Sequence, residues 1–187
     1  MQTIALKQNK KLSFKAQTAA AAIAIVSAVV LPQLFHLMGL ISGTGAALGE
    51  TFLPMHLPII ATGLFAGPYA AAAAGIVSPL ISFALTGMPA ASMLPFMMIE
   101  LCIYGFVSGA LRNVKMPVIL KVVIAQVAGR AVRAAAILIA FYGFESTAVP
   151  VSVIWNSILT GIFGIVLQWV ILPLAVYRFE KSNENDR

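Results

Sequence analysis

The sequence predicts an all-α, polytopic membrane protein of six transmembrane helices with both termini in the cytoplasm. Three observations predict it. First, 60% of the 187 residues are hydrophobic and 10% are charged, with a mean hydropathy of +0.97. A soluble domain is about 25% charged, so most of this surface is solvated by lipid. Second, the apolar residues fall into six runs separated by turns that contain Gly and Pro. Third, ten of the twelve lysines and arginines lie on one side of that layout, as cytoplasmic loops require.

The first span covers 16–38, after the basic start "KQNKKLSFK". Such a start also fits a signal peptide, but the apolar stretch continues to "VVLPQLFHLM", and a retained helix is expected. A Gly-rich loop at 39–57 leads to a short second span at 57–66 that ends at "GP". The third span, 68–85, runs into the turn "TGMP"; the fourth covers 91–111, the fifth 117–142 and the sixth 150–177. Pro58, Pro68, Pro117 and Pro150 fall near span starts, where a missing N–H is harmless. Pro32, Pro79, Pro95 and Pro173 fall inside spans, where kinks are expected. No long polar run separates a second domain, so residues 1–187 read as one six-helix membrane domain.

Six spans place Lys7, Lys10, Lys11, Lys15, Arg112, Lys115, Lys121, Arg178, Lys181 and Arg187 on one side. The opposite loops hold Glu50 and Glu145 and no lysine or arginine. Topology therefore accounts for the net charge of +6, and no nucleic-acid partner is expected. The single cysteine, Cys102, excludes an intrachain disulfide and reads as a small buried hydrophobe.

Two basic residues do not fit that pattern. Arg130 and Arg133 sit near the middle of "KVVIAQVAGRAVRAAAILIAFY", where an arginine costs roughly 2.5–3.5 kcal/mol on insertion scales. Gln126, Arg130, Arg133 and Ile137 follow helical spacing and share one stripe of the fifth span. The fourth span carries Glu100, Tyr104 and Ser108 with Met97 above them; the sixth carries Ser152, Asn156 and Thr160 with Trp155 alongside. At 1.5 Å per residue, Glu100 and Arg133 both lie roughly 13 Å in from the outer ends. The stripes thus meet in the outer half of the membrane, where buried ionisable groups face a cavity or one another. An ion pair of Glu100 with one arginine uses one cation and leaves the other to be balanced by an acidic ligand, a backbone carbonyl cluster or a protonation change. Arginine's planar fork suits a carboxylate.

In the outer loop "GETFLPMHLP", Glu50 and His56 could touch ligand, with Phe52, Leu53 and Met55 as apolar cover. Two such groups six residues apart are too few for zinc, so no metal and no cofactor is expected. Nor is an enzyme: the only histidines are His36 and His56, and neither HExxH nor GxSxG occurs. The remaining rival is an autonomous small-solute carrier or channel, whose polar stripes would run the full membrane depth. In the first span, Ala16, Ala20, Ala24 and Ala28 repeat every four residues. Such a ladder permits close helix approach, either within the bundle or to another protein.

The six-span layout, the alanine ladder and the segment "FLPMHLPIIATGLFAGPYAAAAAGIVSPLISFALTGMPAASMLPFMMIELCIYGFVSGAL" carry a family resemblance. From about 14 to 178 the chain resembles the S components, the substrate-capturing subunits of energy-coupling-factor vitamin transporters. "MHLP", "GP", "GMP" and "MMIELCIYG" are similar to the branch with pantothenate, pyridoxine and hydroxymethylpyrimidine carriers. The resemblance implies a multi-pass protein of a prokaryotic cell membrane that binds a small vitamin in an outer cavity under the 39–57 loop. It also implies partners: a membrane coupling subunit, met by Ala16, Ala20, Ala24 and Ala28, and two cytoplasmic ATPases. No GxxxxGK[ST] loop occurs in this chain. Mapped onto this sequence, the ligand falls to Arg130, Arg133, Glu100, Tyr104, Trp155 and Asn156, with His56 as lid. Two arginines against one glutamate point to a carboxylate, and so to pantothenate before pyridoxine or hydroxymethylpyrimidine.

Overall fold

The computed structural model describes residues 12–45 and 47–185, with the backbone alone at 180 and 182–185. Lys7, Lys10, Lys11 and Arg187 of the basic set lie outside the described residues. The described residues form eight α-helices joined by turns: α1 (Phe14–Ser42), α2 (Ala47–Phe52), α3 (His56–Ala66), α4 (Pro68–Thr86), α5 (Leu94–Ala110), α6 (Val118–Leu138), α7 (Val153–Thr160) and α8 (Ile162–Asn185). A π-helical turn, Ile139–Gly143, prolongs α6. Local chemistry sets several ends. The Ser13 hydroxyl accepts from the Ala16 N–H to cap α1, Gly43 and Gly87 close α1 and α4 in the left-handed conformation, and Pro68 opens α4.

Among the described residues, four helical segments are long and apolar enough to cross a membrane: Phe14–Ser42, Pro68–Thr86, Val118–Gly143 and Ile162–Phe179. The fourth predicted span is α5, a shorter apolar helix of 17 residues. The second predicted span is α3, whose 11 residues reach only about 16 Å of a hydrocarbon core of about 30 Å. The sixth is not one helix. It divides at Gly161 into α7 and α8, because the end of α2 seats there: a Cβ on Gly161 would meet the Leu53 side chain, and one on Gly164 the Phe52 backbone. The 39–57 loop is likewise more ordered than its composition suggests, since α1 continues to Ser42 and α2 fills its second half. Pro32, Pro79 and Pro173 do lie inside helices, whereas Pro95 opens the first turn of α5 and kinks nothing.

α5 sits at the centre, packed against α3, α4 and α6, and α1 closes over α3 and α4. Small residues let the α4–α5 seam close: a Cβ on Gly75 would strike the Leu101 backbone, and one on Gly105 the Ala71 backbone. The core gathers Ile59, Ile60 and Leu64 from α3, Leu101 and Tyr104 from α5, Val122 from α6 and Leu172 from α8. The alanine ladder faces this core. Ala24 and Ala28 are buried in it, and Ala16 and Ala20 are half-buried. Close packing within the chain therefore occupies Ala24 and Ala28, and of the expected docking residues only Ala16 and Ala20 keep exposed surface.

At one end of the bundle, Lys121 is buried and its Nζ donates to the Arg112 carbonyl at 2.7 Å. Arg112 approaches Gly67, and the Phe65 ring meets that of Phe179, the residue after Arg178, at 5.0 Å and a tilt of 59°. Arg112, Lys121 and Arg178 thus share an end with the α3–α4 connection.

Candidate functional site

The opposite end holds Glu100, Arg130, Arg133 and His56. α5 and α6 approach closely because Gly129 has no side chain: a Cβ there would run into the Tyr104 ring and sit 2.9 Å from the Glu100 carbonyl oxygen. That approach brings Arg130 and Arg133, on the following turn of α6, against Glu100. Arg133 Nη1 donates to Glu100 Oε2 at 2.8 Å, and the Tyr104 hydroxyl donates to Oε1 at 2.8 Å. Arg130 Nε lies 4.0 Å from Oε1, while Arg130 Nη1 donates to the Ser157 carbonyl of α7 at 3.3 Å. Arg133 is therefore the direct ion-pair partner, and Arg130 ties α6 to α7. His56, at the start of α3, stands with Nε2 3.9 Å from Glu100 Oε2, beyond hydrogen-bond reach, and its ring is 5.4 Å from that of Tyr104.

The charges do not balance at this centre. Glu100 is 1% exposed and each of its oxygens already accepts a short hydrogen bond. Two guanidinium groups surround that one carboxylate. Both ring nitrogens of His56 and the Nε atoms of Arg130 and Arg133 lack hydrogen-bond partners among the described residues. Buried donors of this kind are costly unless something accepts from them.

A cavity of about 470 Å³ opens beside this cluster. His56, Glu100, Arg133 and Asn156 line it, and with them His36 of α1, Glu50 of α2 and the side chains of Met55, Met93 and Met97. Methionine walls are adaptable in shape. Leu53 and Met55 form part of the cover, whereas Phe52 turns away and packs on Phe35 at 5.4 Å. Leu53 holds φ +49°, a left-handed conformation uncommon for a side chain of its size, at the junction of α2 and α3.

The expected site residues are thus divided. His56, Glu100, Arg133 and Asn156 share the larger cavity. Arg130 and Trp155 line a second cleft of about 370 Å³ between α6 and α7, to which Arg133 also belongs. Tyr104 lines neither and supports Glu100 from the core. His36, Ser157 and Gln168 were not among the expected residues. His36 is one turn from Pro32, and both face the cavity, a relation that helical spacing could have revealed. Gln168 was visible as a lone polar residue in "IVLQWVIL".

Below the cavity the polar stripe is closed by internal bonds. Gln126 Nε2 donates to Gln168 Oε1 at 2.9 Å, and Trp169 Nε1 donates to Gln126 Oε1 at 2.7 Å. Gln168 Nε2 reaches the Leu53 carbonyl at 3.5 Å, and the Ser108 hydroxyl donates to the Gly105 carbonyl at 3.2 Å. The polar groups that continue inward therefore satisfy one another, an arrangement unlike the solvated stripe of a channel.

The protein-family models supply one comparison. A family described as the ECF transporter, substrate-specific component, matches residues 7–176 of the 187. No curated protein and no solved structure matches the chain.

Proposed function

The chain belongs to the substrate-specific components of energy-coupling-factor transporters, and from that membership we propose that it captures a small anionic vitamin in the cavity beneath α2 and the α2–α3 junction. As a family member it is a membrane-embedded transporter subunit that works with an energising module. The observation that carries the proposal is the excess of positive charge: Arg130 and Arg133 face one carboxylate, with unpartnered donors beside a cavity of about 470 Å³. A ligand carboxylate supplies the missing acceptor, and the buried setting strengthens each charge-assisted bond. Glu50 also lines the cavity but is exposed, so water and salt weaken its opposing field.

In this reading Arg133, which lines the cavity, receives the carboxylate, Arg130 approaches it from the adjoining α6–α7 cleft, and Asn156 and His56 bond hydroxyl or amide groups. Glu100 and Tyr104 fix the arginines rather than the ligand, and Trp155 borders the α6–α7 side. Pantothenate suits this set because it brings a carboxylate together with hydroxyl and amide groups. Pyridoxine and hydroxymethylpyrimidine would rely on Glu100, whose oxygens are already engaged by Tyr104 and Arg133. The coupling subunit would dock along the inner half of α1 at Ala16 and Ala20, with two ATPases on the cytoplasmic side of a prokaryotic cell membrane. Both termini of this single domain would lie on that side, with α3 and the α7–α8 pair completing a six-span layout.

Arg130→Ala leaves the direct Arg133–Glu100 ion pair in place and takes from the fold only the bond to the Ser157 carbonyl. Losing one charge-assisted bond of about 1.5–3 kcal/mol should weaken vitamin affinity about 10- to 150-fold, with a thermal destabilisation smaller than that of Arg133→Gln. Titration calorimetry on the purified protein in nanodiscs checks this. Unchanged affinity in the variant would remove Arg130 from the site.

A further inference from the structure

Arg133 and Ser157 line both cavities. They form a partition between the α6–α7 cleft and the larger cavity, and the two spaces differ in chemistry. The larger one carries His36, Glu50, His56 and Asn156. In the cleft, the polar groups are the two guanidiniums, Ser157 and the Trp155 indole; Ile137, Leu138, Val151, Ile154 and Ile158 supply an aliphatic wall. Its inner end is set by the bond from Arg130 Nη1 to the Ser157 carbonyl. From there it follows α6 outward past Leu138, a run of about 12 Å at 1.5 Å per residue.

We infer that this cleft is an annex of the substrate site, taking the apolar arm of a carboxylate whose charged end sits between Arg130 and Arg133. The inference rests on the anion-binding reading above and names the ligand class more narrowly: a carboxylate with an attached hydrocarbon arm that lies between α6 and α7. Two features select this occupant. The cleft abuts the candidate site across the Arg133–Ser157 wall, and it has cations at one end only, which match an anion with an attached apolar chain. Burial of that chain against the aliphatic wall supplies affinity without further polar contacts. It also accounts for two arginines where an ion pair with Glu100 needs one: Arg133 neutralises Glu100, and Arg130 faces the cleft.

The test uses the full chain in nanodiscs and straight-chain carboxylates from acetate to octanoate as probes, measured by calorimetry. Affinity should rise about fourfold per added methylene until the cleft is filled. Ala134→Phe, which fills the cleft from α6, should flatten that rise, and Ile154→Ala, which enlarges it, should extend the rise to longer chains. The opposite responses of the two variants separate annex occupancy from misfolding, and partition into the bilayer is common to all three proteins. A flat series in the unmodified protein overturns the annex, as does a slope that neither variant changes. So does native mass spectrometry showing a phospholipid that Ala134→Phe releases while the series stays flat. If a vitamin still binds in those cases, the annex alone fails. If neither vitamins nor carboxylates bind, the anion-binding reading fails with it.

Discussion

Arg133→Gln should destabilise the protein by about 3–5 kcal/mol and abolish ligand binding, because it strands the Glu100 carboxylate in a buried setting. Glu100 is 1% exposed, and Arg133 is the cation that bonds it directly, at 2.8 Å. The Tyr104 hydroxyl still donates to the other oxygen and Arg130 Nε stands 4.0 Å from it, but neither replaces the direct charged bond that Oε2 loses. The double variant Glu100→Gln with Arg133→Gln should recover most of the lost stability, since a neutral, hydrogen-bonded pair replaces the ion pair at little net cost. It should not recover binding. Thermal melts together with calorimetry check both halves. A single variant that melts with the unmodified protein would show that the ion pair contributes nothing to the fold.

Gly129→Val should cost about 1–3 kcal/mol from overpacking and should also remove binding. The new side chain occupies the place of the Tyr104 ring and presses on the Glu100 backbone. Either α6 moves off α5, which separates the arginines from Glu100, or Tyr104 swings out and leaves Glu100 with one donor fewer. Pairing the substitution with Tyr104→Ala should relieve the clash, so the two changes together should cost less than their sum by about 0.5–3 kcal/mol. Strict additivity in a thermal-melt cycle would place the clash elsewhere.

These two positions show how much was legible in the sequence. The juxtaposition of Glu100 with an arginine followed from counting residues inward along two predicted helices. The identity of the partner did not, because Arg130 and Arg133 share a stripe and only the α5–α6 approach at Gly129 decides which reaches Glu100. Helix positions were legible wherever an apolar run is long. The break of the sixth span at Gly161 was not, because its cause is nonlocal: Leu53 of the outer segment packs where a side chain would stand. The alanine ladder was visible as a face, but its direction depends on α3 and α4, against which Ala24 and Ala28 are buried. The Gln126–Gln168–Trp169 chain needed α6 and α8 to be placed side by side. Local pattern sets the elements, and small residues at crossings set which polar groups meet.

The central claim is that a buried positive excess on α6 selects an anionic vitamin. Its most direct test is a panel of water-soluble vitamins, acidic and neutral, titrated calorimetrically into the purified protein and into Arg130→Ala. An acidic vitamin, pantothenate foremost, should bind the unmodified protein and lose about 10- to 150-fold in affinity for the variant, while neutral vitamins bind neither. A neutral vitamin that binds both proteins equally, with no acidic vitamin bound, would contradict the claim.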